Sequence, residues 1–214
     1  MIIIECENLQ LQLISKSDLE MVRGWRNEQY VAEFMEFRKI ISEEDQQYWF
    51  NNLNKECNLY FKILVDKEPI GLINLKEINW EKGTAEAGIF VGNKNFIGGI
   101  SPMFSILILM KTAFKCFILN ELFAKISKKN INAINFNRQL GYQYYSTVND
   151  EFDLYNCKKS SFFSPQSSIS RINQLFAKNA SVNVYVDSHD KWILKYLHFD
   201  DIKFQLIEVP GSLV

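Results

Sequence analysis

A predicted strand, a glycine-containing loop and an apolar helix follow one another between Thr84 and Phe117, and this succession limits the folds that the chain can adopt. Small, β-branched and aromatic residues alternate through Thr84–Val91, which predicts a β-strand. One face of that strand carries Glu86, Gly88 and Phe90. In the following helix, Pro102 stands where a first helical residue tolerates proline. Such a unit can direct backbone N–H groups at a phosphate, but an ordinary turn between a buried strand and a core helix explains the same residues.

Composition and charge narrow the class of protein. The 214 residues are 47% apolar and include 17 phenylalanines, which is enough for a substantial core. With 24 basic and 25 acidic residues, the net charge of −1 does not favour nucleic acid or an anionic membrane as partner. The first residues lack a signal-peptide pattern, and the apolar segment Ile106–Leu119 contains two lysines and is too short to span a bilayer. We therefore expect a soluble cytoplasmic protein.

Cysteine and histidine usage excludes several kinds of site. The four cysteines are far apart and form no C-x-x-C pair, so neither a metal site nor a disulfide framework is expected. Both histidines, His189 and His198, lie near the C-terminus. A Ser-His-Asp or Cys-His mechanism is therefore excluded in residues 1–188, where proton transfer must use carboxylates, tyrosine, lysine or water.

The pattern of elements predicts an α/β (α+β) domain over residues 1–157, in the order β-α-α-β-β-β-α-β-α-β-β. Capping boxes predict helices that begin at Ser17 and at Ser42, and Asn130 is expected to cap a helix that Gly141 ends. The remaining predicted strands are Leu9–Ile14, Leu59–Val65, Ile70–Ile78, Leu122–Ser127, Tyr142–Ser146 and Asp153–Cys157. This order favours a mostly antiparallel sheet around one crossover helix.

The composition changes at Lys158, where a Ser-rich stretch predicts a linker over residues 158–181 that includes a helix at Ile169–Lys178. Residues 182–214 then form one predicted β-α-β unit, with its elements at Val182–Asp187, Lys191–Leu197 and Lys203–Val209. This unit is too small to fold alone. It must pack on the main body, pair with a second copy in a homodimer, or be the truncated beginning of a second domain.

Three motifs in residues 8–157 resemble the GNAT superfamily of N-acetyltransferases. They are W-R-N at 25–27 with I-S-E-E-D-Q-Q-Y-W-F at 41–50, I-G-L-I-N-L leading into A-E-A-G-I-F, and N-I-N-A-I-N-F-N-R-Q-L-G-Y at 130–142. Their order and spacing indicate the GNAT fold, and the first motif is most similar to that of the UDP-4-amino-sugar N-acetyltransferases of the pseudaminic acid pathway. The resemblance implies a sheet whose middle strands splay apart around the pantetheine arm of acetyl-CoA.

The resemblance also implies which residues contact acetyl-CoA, with its pyrophosphate on the loop before Pro102, where a helix N-terminus favours an anion. The implied cofactor-binding residues are Phe90, Val91, Gly92, Gly98, Gly99, Ile100, Ser101, Asn130 and Asn137. Three positions depart from the family pattern. Ile100 replaces a usual glycine of the phosphate loop, Asn137 replaces a tyrosine that often acts as general acid, and Gln46 replaces a histidine.

For catalysis, we expect Glu86 to act as general base through a water molecule, and the alternative is a structural Glu86 bonded to backbone or to Arg26. A backbone N–H near Val91 or Gly92 would stabilise the oxyanion. Since Asn137 cannot donate a proton, a nearby tyrosine would protonate the leaving thiolate, although packing explains each tyrosine equally well. The candidates for this role are Tyr142, Tyr144 and Tyr145.

The acceptor cleft is expected between the first two helices, where Arg offers a fork for phosphate and Trp a stacking face. The residues concerned are Trp25, Arg26, Asn27, Gln46 and Trp49, which capped helix ends would also explain. The sequence thus predicts direct acetyl transfer from acetyl-CoA to an amine of a nucleotide-linked amino sugar. The alternatives are acetylation of a protein N-terminus, as in the ribosomal-protein branch, or a GNAT scaffold that no longer binds acetyl-CoA.

Overall fold

The computed structural model of the protein describes residues 2–164, 182–198 and 204–209. The strands are β1 (Ile2–Cys6), β2 (Leu9–Leu13), β3 (Leu59–Val65), β4 (Glu68–Asn79), β5 (Thr84–Val91), β6 (Glu121–Ser127), β7 (Gln143–Thr147), β8 (Phe152–Lys158), β9 (Val182–Asp187) and β10 (Phe204–Val209). The α-helices are α1 (Leu19–Asn27), α2 (Gln29–Ala32), α3 (Glu43–Asn51), α4 (Ile100–Lys115), α5 (Ile131–Gln139) and α6 (Lys159–Phe162). Short 3-10 helices lie at Lys16–Asp18, Lys94–Phe96 and Ser188–Tyr196.

The described strands form one mixed sheet in the order β10-β9-β1-β2-β3-β4-β5-β6-β8-β7. Neighbouring strands are antiparallel except for β9 with β10 and β5 with β6, which are parallel. The connection between β5 and β6 is the long helix α4, as parallel neighbours require a crossover. The predicted α+β class, a mostly antiparallel sheet around one crossover helix, is confirmed.

Helix α4 and the short pairing of β5 with β6 together shape the middle of the sheet. Every residue of α4 from Ser105 to Phe114 is buried, which explains why the segment is apolar on all sides. The pairing of β5 with β6 covers three residues of each strand, from Thr84 with Glu121 to Glu86 with Phe123. Beyond Glu86, β5 pairs with β4 alone, and a gap opens between the two halves of the sheet.

Local side-chain to backbone bonds explain most helix boundaries. Ser42 and Asp45 form the predicted capping box at the start of α3. Asn130 caps α5 by accepting the N–H of Ala133 at 3.0 Å, and Gly141 follows that helix with a φ of +93°. These expectations are confirmed, and each depends on residues close together in sequence.

Several predicted boundaries are wrong. The first capping box is formed by Ser15 and Asp18 rather than at Ser17. The N–H and the hydroxyl group of Ser15 both donate to Oδ2 of Asp18 at 2.9 Å, and the carbonyl oxygen of Ser15 accepts the N–H of Asp18 at 3.1 Å. Helix α4 begins at Ile100, which makes Pro102 its third residue. Its missing N–H still costs no helical bond, since the first four N–H groups have no partner within a helix. Strand β1 and the short helices α2 and α6 were not expected from the sequence.

The C-terminal segment extends the sheet at its β1 edge. Strand β9 pairs antiparallel with β1, and its valines at positions 182, 184 and 186 lie in the core. Ile193 is fully buried, and the ring of Tyr196 stacks on Trp80 with centroids 3.9 Å apart. The main-chain N–H of His198 donates to the carbonyl oxygen of Cys116 at 2.8 Å. Residues 182–198 therefore pack directly against the main body.

The linker expected from Lys158 onward begins later than predicted. Strand β8 runs through Lys158, and α6 follows at once with the side chain of Phe162 fully buried against Phe114. Serines at 160 and 161 are compatible with a short helix when an adjacent aromatic residue anchors it. The helix predicted at Ile169–Lys178 lies outside the described residues. Within those that are described, no helix is both long enough and apolar enough to cross a membrane.

The packing of the C-terminal segment gives a stability prediction. Ile193→Ala should lower the free energy of unfolding of the whole chain by about 2–5 kcal/mol, because a fully buried side chain leaves a cavity. Thermal denaturation followed by circular dichroism would show one transition at a lower temperature. Lys195→Ala, an exposed position in the same turn, should leave the midpoint nearly unchanged. An unaltered main transition in Ile193→Ala would contradict the packing described above.

Candidate active site

A cleft of about 640 Å³ occupies the gap where β5 and β6 separate. Its walls come from β4 and β5 on one side, β6 and α5 on the other, and α1, α3 and the segment 34–41 above. The predicted site residues that line it are Glu86, Tyr142, Phe90, Asn130, Asn137, Arg26, Gln46 and Trp49. Side chains from three separate sequence motifs therefore meet in one cavity.

Glu86 is held in the cleft by an ion pair with Lys76. The Nζ of Lys76 lies 2.9 Å from Oε1 of Glu86, and the two residues face each other across β4 and β5. Their side chains are 24% and 15% exposed, so the pair is accessible from the cleft and otherwise enclosed by protein. The partner of Glu86 is thus Lys76, and neither the backbone nor Arg26 takes that place. Only the register of the β4–β5 hairpin brings Lys76 opposite Glu86, and no pattern within either strand indicates it.

Tyr142 places an unpaired hydroxyl group in the same cavity. Its side chain is 2% exposed, and its Oη forms no hydrogen bond with the described part of the chain. Burial raises the pKa of Tyr142 well above its ordinary value, and the nearby Cys157 and Glu86 raise it further. The hydroxyl therefore remains a proton donor far into the alkaline range.

Tyr144 and Tyr145 are not brought to the cleft. Both lie on the edge strand β7, where they are 56% and 57% exposed. The hydroxyl of Tyr144 lies 3.0 Å from Oγ1 of Thr147, and the ring of Tyr145 packs edge-on against Phe123. Of these three tyrosines, Tyr142 alone lines the cleft.

Asn74, which sequence reasoning missed, is a second polar group without a partner. Its Oδ1 is buried and accepts no hydrogen bond from any described residue. Asn74 lies opposite Gly88 on β5, and a Cβ atom at position 88 would lie 3.1 Å from that oxygen. An amide between Ile73 and Leu75, both of which are fully buried, was the available signal.

Arg26 is a cation in the cleft without a matching carboxylate. Its one recorded hydrogen bond is donated to the carbonyl oxygen of Phe37 at 3.4 Å, and none of the described carboxylates lies within ion-pair distance. Burial lowers the pKa of Arg26. Beside it, Trp49 packs edge-on against Tyr60 with ring centroids 5.0 Å apart. Burial, together with the nearby Glu86, raises the pKa of Tyr60 to about 12.

The segment that roofs the cleft is fixed by two ion pairs. Glu36 pairs with Lys125 of β6 at 2.7 Å, and Arg38 pairs with Glu151 at 3.0 Å. The same segment contributes Phe34, Met35, Phe37 and Ile41 to the cavity wall. The roof is thus largely apolar inside and held by charges at its rim.

Trp25, Asn27 and Gly92 serve packing rather than the cavity. The indole of Trp25 lies so close to Gly92 that a Cβ atom there would be 2.1 Å from the ring. The side-chain amide of Asn27 exchanges two hydrogen bonds with the backbone of Ile41, at 2.8 and 3.0 Å. The N–H of Gly92 donates to the carbonyl oxygen of Ile70 at 2.8 Å, so it is not available to an oxyanion.

The first turn of α4 leaves donors unused. Gly99 is the N-cap, and its own N–H donates to Phe96 at 3.1 Å. The N–H groups of Ile100 and Ser101 have no recorded acceptor in the described part of the chain. Gly98 reaches this geometry with a φ of +74°, which glycine adopts without strain. Ile106 of the same helix lines the cleft, about 9 Å along the helix axis from Ile100.

The surroundings of Gly92 and Gly24 predict that alanine substitutions there change the stability of the protein in opposite directions. Gly92→Ala should destabilise the protein by about 1–3 kcal/mol, because its new methyl group overlaps the indole ring. Gly24→Ala should stabilise it by about 0.5–1 kcal/mol. A Cβ atom at this position of α1 would have no neighbouring atom within 4 Å, and alanine has a higher helix propensity than glycine. Urea denaturation measures both. Equal stability of the two variants would contradict the packing of Trp25.

Comparison with known proteins agrees with this architecture. The sequence profile of the acetyltransferase (GNAT) domain matches residues 11–157. The acetyltransferase PseH of Campylobacter jejuni is 24% identical over 151 residues, which cover 69% of this chain and 90% of that protein.

Two solved structures have the same fold. The spermidine N-acetyltransferase of Vibrio cholerae, in complex with CoA and spermine, superposes with a TM-score of 0.66 at 16% identity, covering 74% of this chain and 99% of that one. The N-acetyltransferase PseH of Campylobacter jejuni superposes with a TM-score of 0.54 at 19% identity, covering 72% and 99%. Because the matched profile spans well over half of the sequence, the chain belongs to the GNAT family and is an N-acetyltransferase, which confirms the family, fold class and enzyme class that its motifs predict.

Proposed function

We propose that the protein transfers the acetyl group of acetyl-CoA to a primary amine of a nucleotide-linked amino sugar. The observation that carries this proposal is the cleft between β5 and β6, where the Glu86–Lys76 ion pair and the unpaired Tyr142 hydroxyl meet. Similarity to proteins named PseH over most of the chain supports an amino sugar as acceptor.

The first turn of α4 and the residues that line the cleft fit the co-substrate, which supplies the acetyl group as an activated thioester. The unused N–H groups of Ile100 and Ser101, at the positive end of α4, suit a pyrophosphate. Pro102 removes one donor of that turn and leaves these two. Asn130 and Asn137 of the α5 region and Phe90 of β5 line the channel that leads to Glu86.

Two groups of the cleft supply the proton transfers. Glu86, ion-paired with Lys76, is positioned to accept a proton from the attacking ammonium group through a water molecule. Tyr142 is positioned to donate a proton to the departing thiolate, since its hydroxyl is buried, unpaired and close enough to Glu86 to interact electrostatically with that carboxylate. Transfer is direct and requires no covalent enzyme intermediate.

The charges of the cleft favour an acceptor that carries an anionic group. Glu86 and Glu36 are each paired with a lysine, and the carboxylate of Asp45 accepts hydrogen bonds from Ser42. Arg26 has no such partner in the described part of the chain, and its planar fork matches a phosphate. The aromatic faces of Trp49 and Tyr60 nearby suit a sugar or base ring.

A panel of amines tests the acceptor class. Release of free thiol from acetyl-CoA would be measured with UDP-linked 4-amino sugars, with peptides bearing a free N-terminus and with spermidine. The proposal predicts the highest kcat/KM for the UDP-linked sugars. Faster reaction with the peptides would favour acetylation of protein N-termini, and faster reaction with spermidine would contradict the role of Arg26.

Glu86→Gln tests the general base. The change should lower kcat by about 100-fold, since the amide cannot accept the proton, while the affinity for acetyl-CoA stays the same. Glu77→Gln is the matched control, because Glu77 follows Lys76 on β4 and is exposed. Turnover of Glu86→Gln within twofold of the native enzyme would remove Glu86 from this role.

Tyr142→Phe separates catalysis from stability. The variant should lose about 10- to 100-fold in kcat, yet be at least as stable as the native protein, because the lost hydroxyl is buried and unpaired.

The raised pKa of Tyr142 also makes the free energy of unfolding depend on pH. Above about pH 10 the unfolded chain releases this proton and the folded chain keeps it, so native stability falls as pH rises.

The alkaline loss of stability should therefore be shallower in Tyr142→Phe than in the native protein. Chemical denaturation from about pH 8 to about pH 11, a range that brackets the pKa of an ordinary tyrosine, measures this loss. Tyr144→Phe, at an exposed position, is the control and should behave like the native protein in both assays. A fully active Tyr142→Phe would exclude the tyrosine as the acid.

A further inference from the structure

Asn74 has a buried polar atom that nothing in the fold explains. Its Oδ1 is shielded from solvent and accepts no hydrogen bond from the described residues, although it belongs to the interior strand β4. Buried acceptors of this kind are rare in folded proteins, because leaving them unpaired is unfavourable. The side chain lines the proposed active-site cleft, so a bound molecule can supply the missing donor.

The position of Asn74 relative to Glu86 follows from the register of β4 and β5. Asn74 pairs with Gly88, Lys76 pairs with Glu86, and all four residues line the cleft. Asn74 and Glu86 are thus diagonal neighbours on one sheet face, with backbone positions on the order of 7–8 Å apart. Two side chains at that backbone spacing can reach the same nitrogen atom, the amide directly and the carboxylate through one water molecule. Glycine at 88 keeps the space open, because a Cβ atom would lie 3.1 Å from Oδ1.

We propose that Asn74 binds the amine of the acceptor through Oδ1 and holds the one N–H that survives in the product. The inference rests on the proposed acetyltransfer reaction and adds a residue that selects primary amines. Only a donor group can satisfy this oxygen, and in the reaction the attacking nitrogen is the donor that must enter the gap beside Glu86.

Proton accounting makes the role specific. A primary ammonium group carries three N–H bonds, and the amide product keeps one. Glu86 removes one proton through water, the nitrogen lone pair forms the new C–N bond, and the C–S bond breaks as Tyr142 protonates the sulfur. The nitrogen then loses its second proton, which restores Tyr142 by way of water. Asn74 accepts the third N–H throughout, and this fixes the direction of the lone pair.

A secondary amine loses both of its N–H bonds and leaves none for Asn74. The enzyme should therefore discriminate against N-methyl analogues, and this discrimination should depend on Asn74. The experiment compares kcat/KM for the best primary amine of the panel above with kcat/KM for its N-methyl derivative. It uses the native chain, Asn74→Leu, which removes the acceptor, and Asn74→Asp, which keeps one.

The native chain should prefer the primary amine by at least about tenfold, the factor that corresponds to one hydrogen bond. In Asn74→Leu, kcat/KM should fall by about 10- to 100-fold for the primary amine and by much less for the N-methyl derivative. Asn74→Asp should restore most of the preference. Affinity for acetyl-CoA and the melting temperature of Asn74→Leu should not fall, since the variant removes an unpaired polar atom.

Three results would overturn the inference. They are an unchanged primary-amine preference in Asn74→Leu, a lowered melting temperature that Asn74→Asp does not restore, and activity of Asn74→Leu within twofold of native. If Asn74→Leu does not fold, Gly88→Ala displaces the same amide and should show the same loss of preference. A native chain that acetylates no amine would overturn the proposed function as well, whereas an active chain with unaltered variants would overturn only the role of Asn74.

Discussion

The site depends on one constraint, which is that β5 and β6 are hydrogen-bonded over only three residues before they separate. A parallel pair needs a crossover, and α4 supplies it as a helix buried along most of its length. That helix follows the separated end of β5 at Val91 and returns the chain to the start of β6 at Glu121, where the two strands pair. The gap is open between polar backbone edges, so a ligand can enter the middle of an otherwise continuous sheet.

The register of β4 and β5 determines which polar groups of these strands face the cleft. Consecutive cross-strand pairs, Asn74 with Gly88 and Lys76 with Glu86, bring an acceptor, a small residue and an ion pair to one face of the sheet. Tyr142 reaches the same cavity at the start of the segment that leads into β7. Strand register is fixed by core packing, so the spacing of these groups is rigid. A rigid arrangement of this kind favours direct transfer between two bound substrates.

Elements set by neighbouring residues could be predicted, and contacts between distant residues could not. The capping box at Ser42 and the helix between Asn130 and Gly141 follow from local bonds, so sequence patterns located both. The face of β5 that carries Glu86 followed from alternation. Its partner Lys76 did not, because the pairing depends on the register of a whole hairpin. Trp25 was expected in the acceptor cleft, yet it packs on a backbone segment far away in sequence.

We propose that the gap beyond Glu86 holds acetyl-CoA, with its pyrophosphate at the first turn of α4. Isothermal titration of the native chain with acetyl-CoA measures this binding. We expect one binding site per chain, and at least about tenfold weaker binding of S-acetyl-pantetheine, which lacks the pyrophosphate that α4 would hold. No heat of binding with acetyl-CoA at about millimolar concentration, a range equivalent to only about −4 kcal/mol of binding free energy, would contradict it.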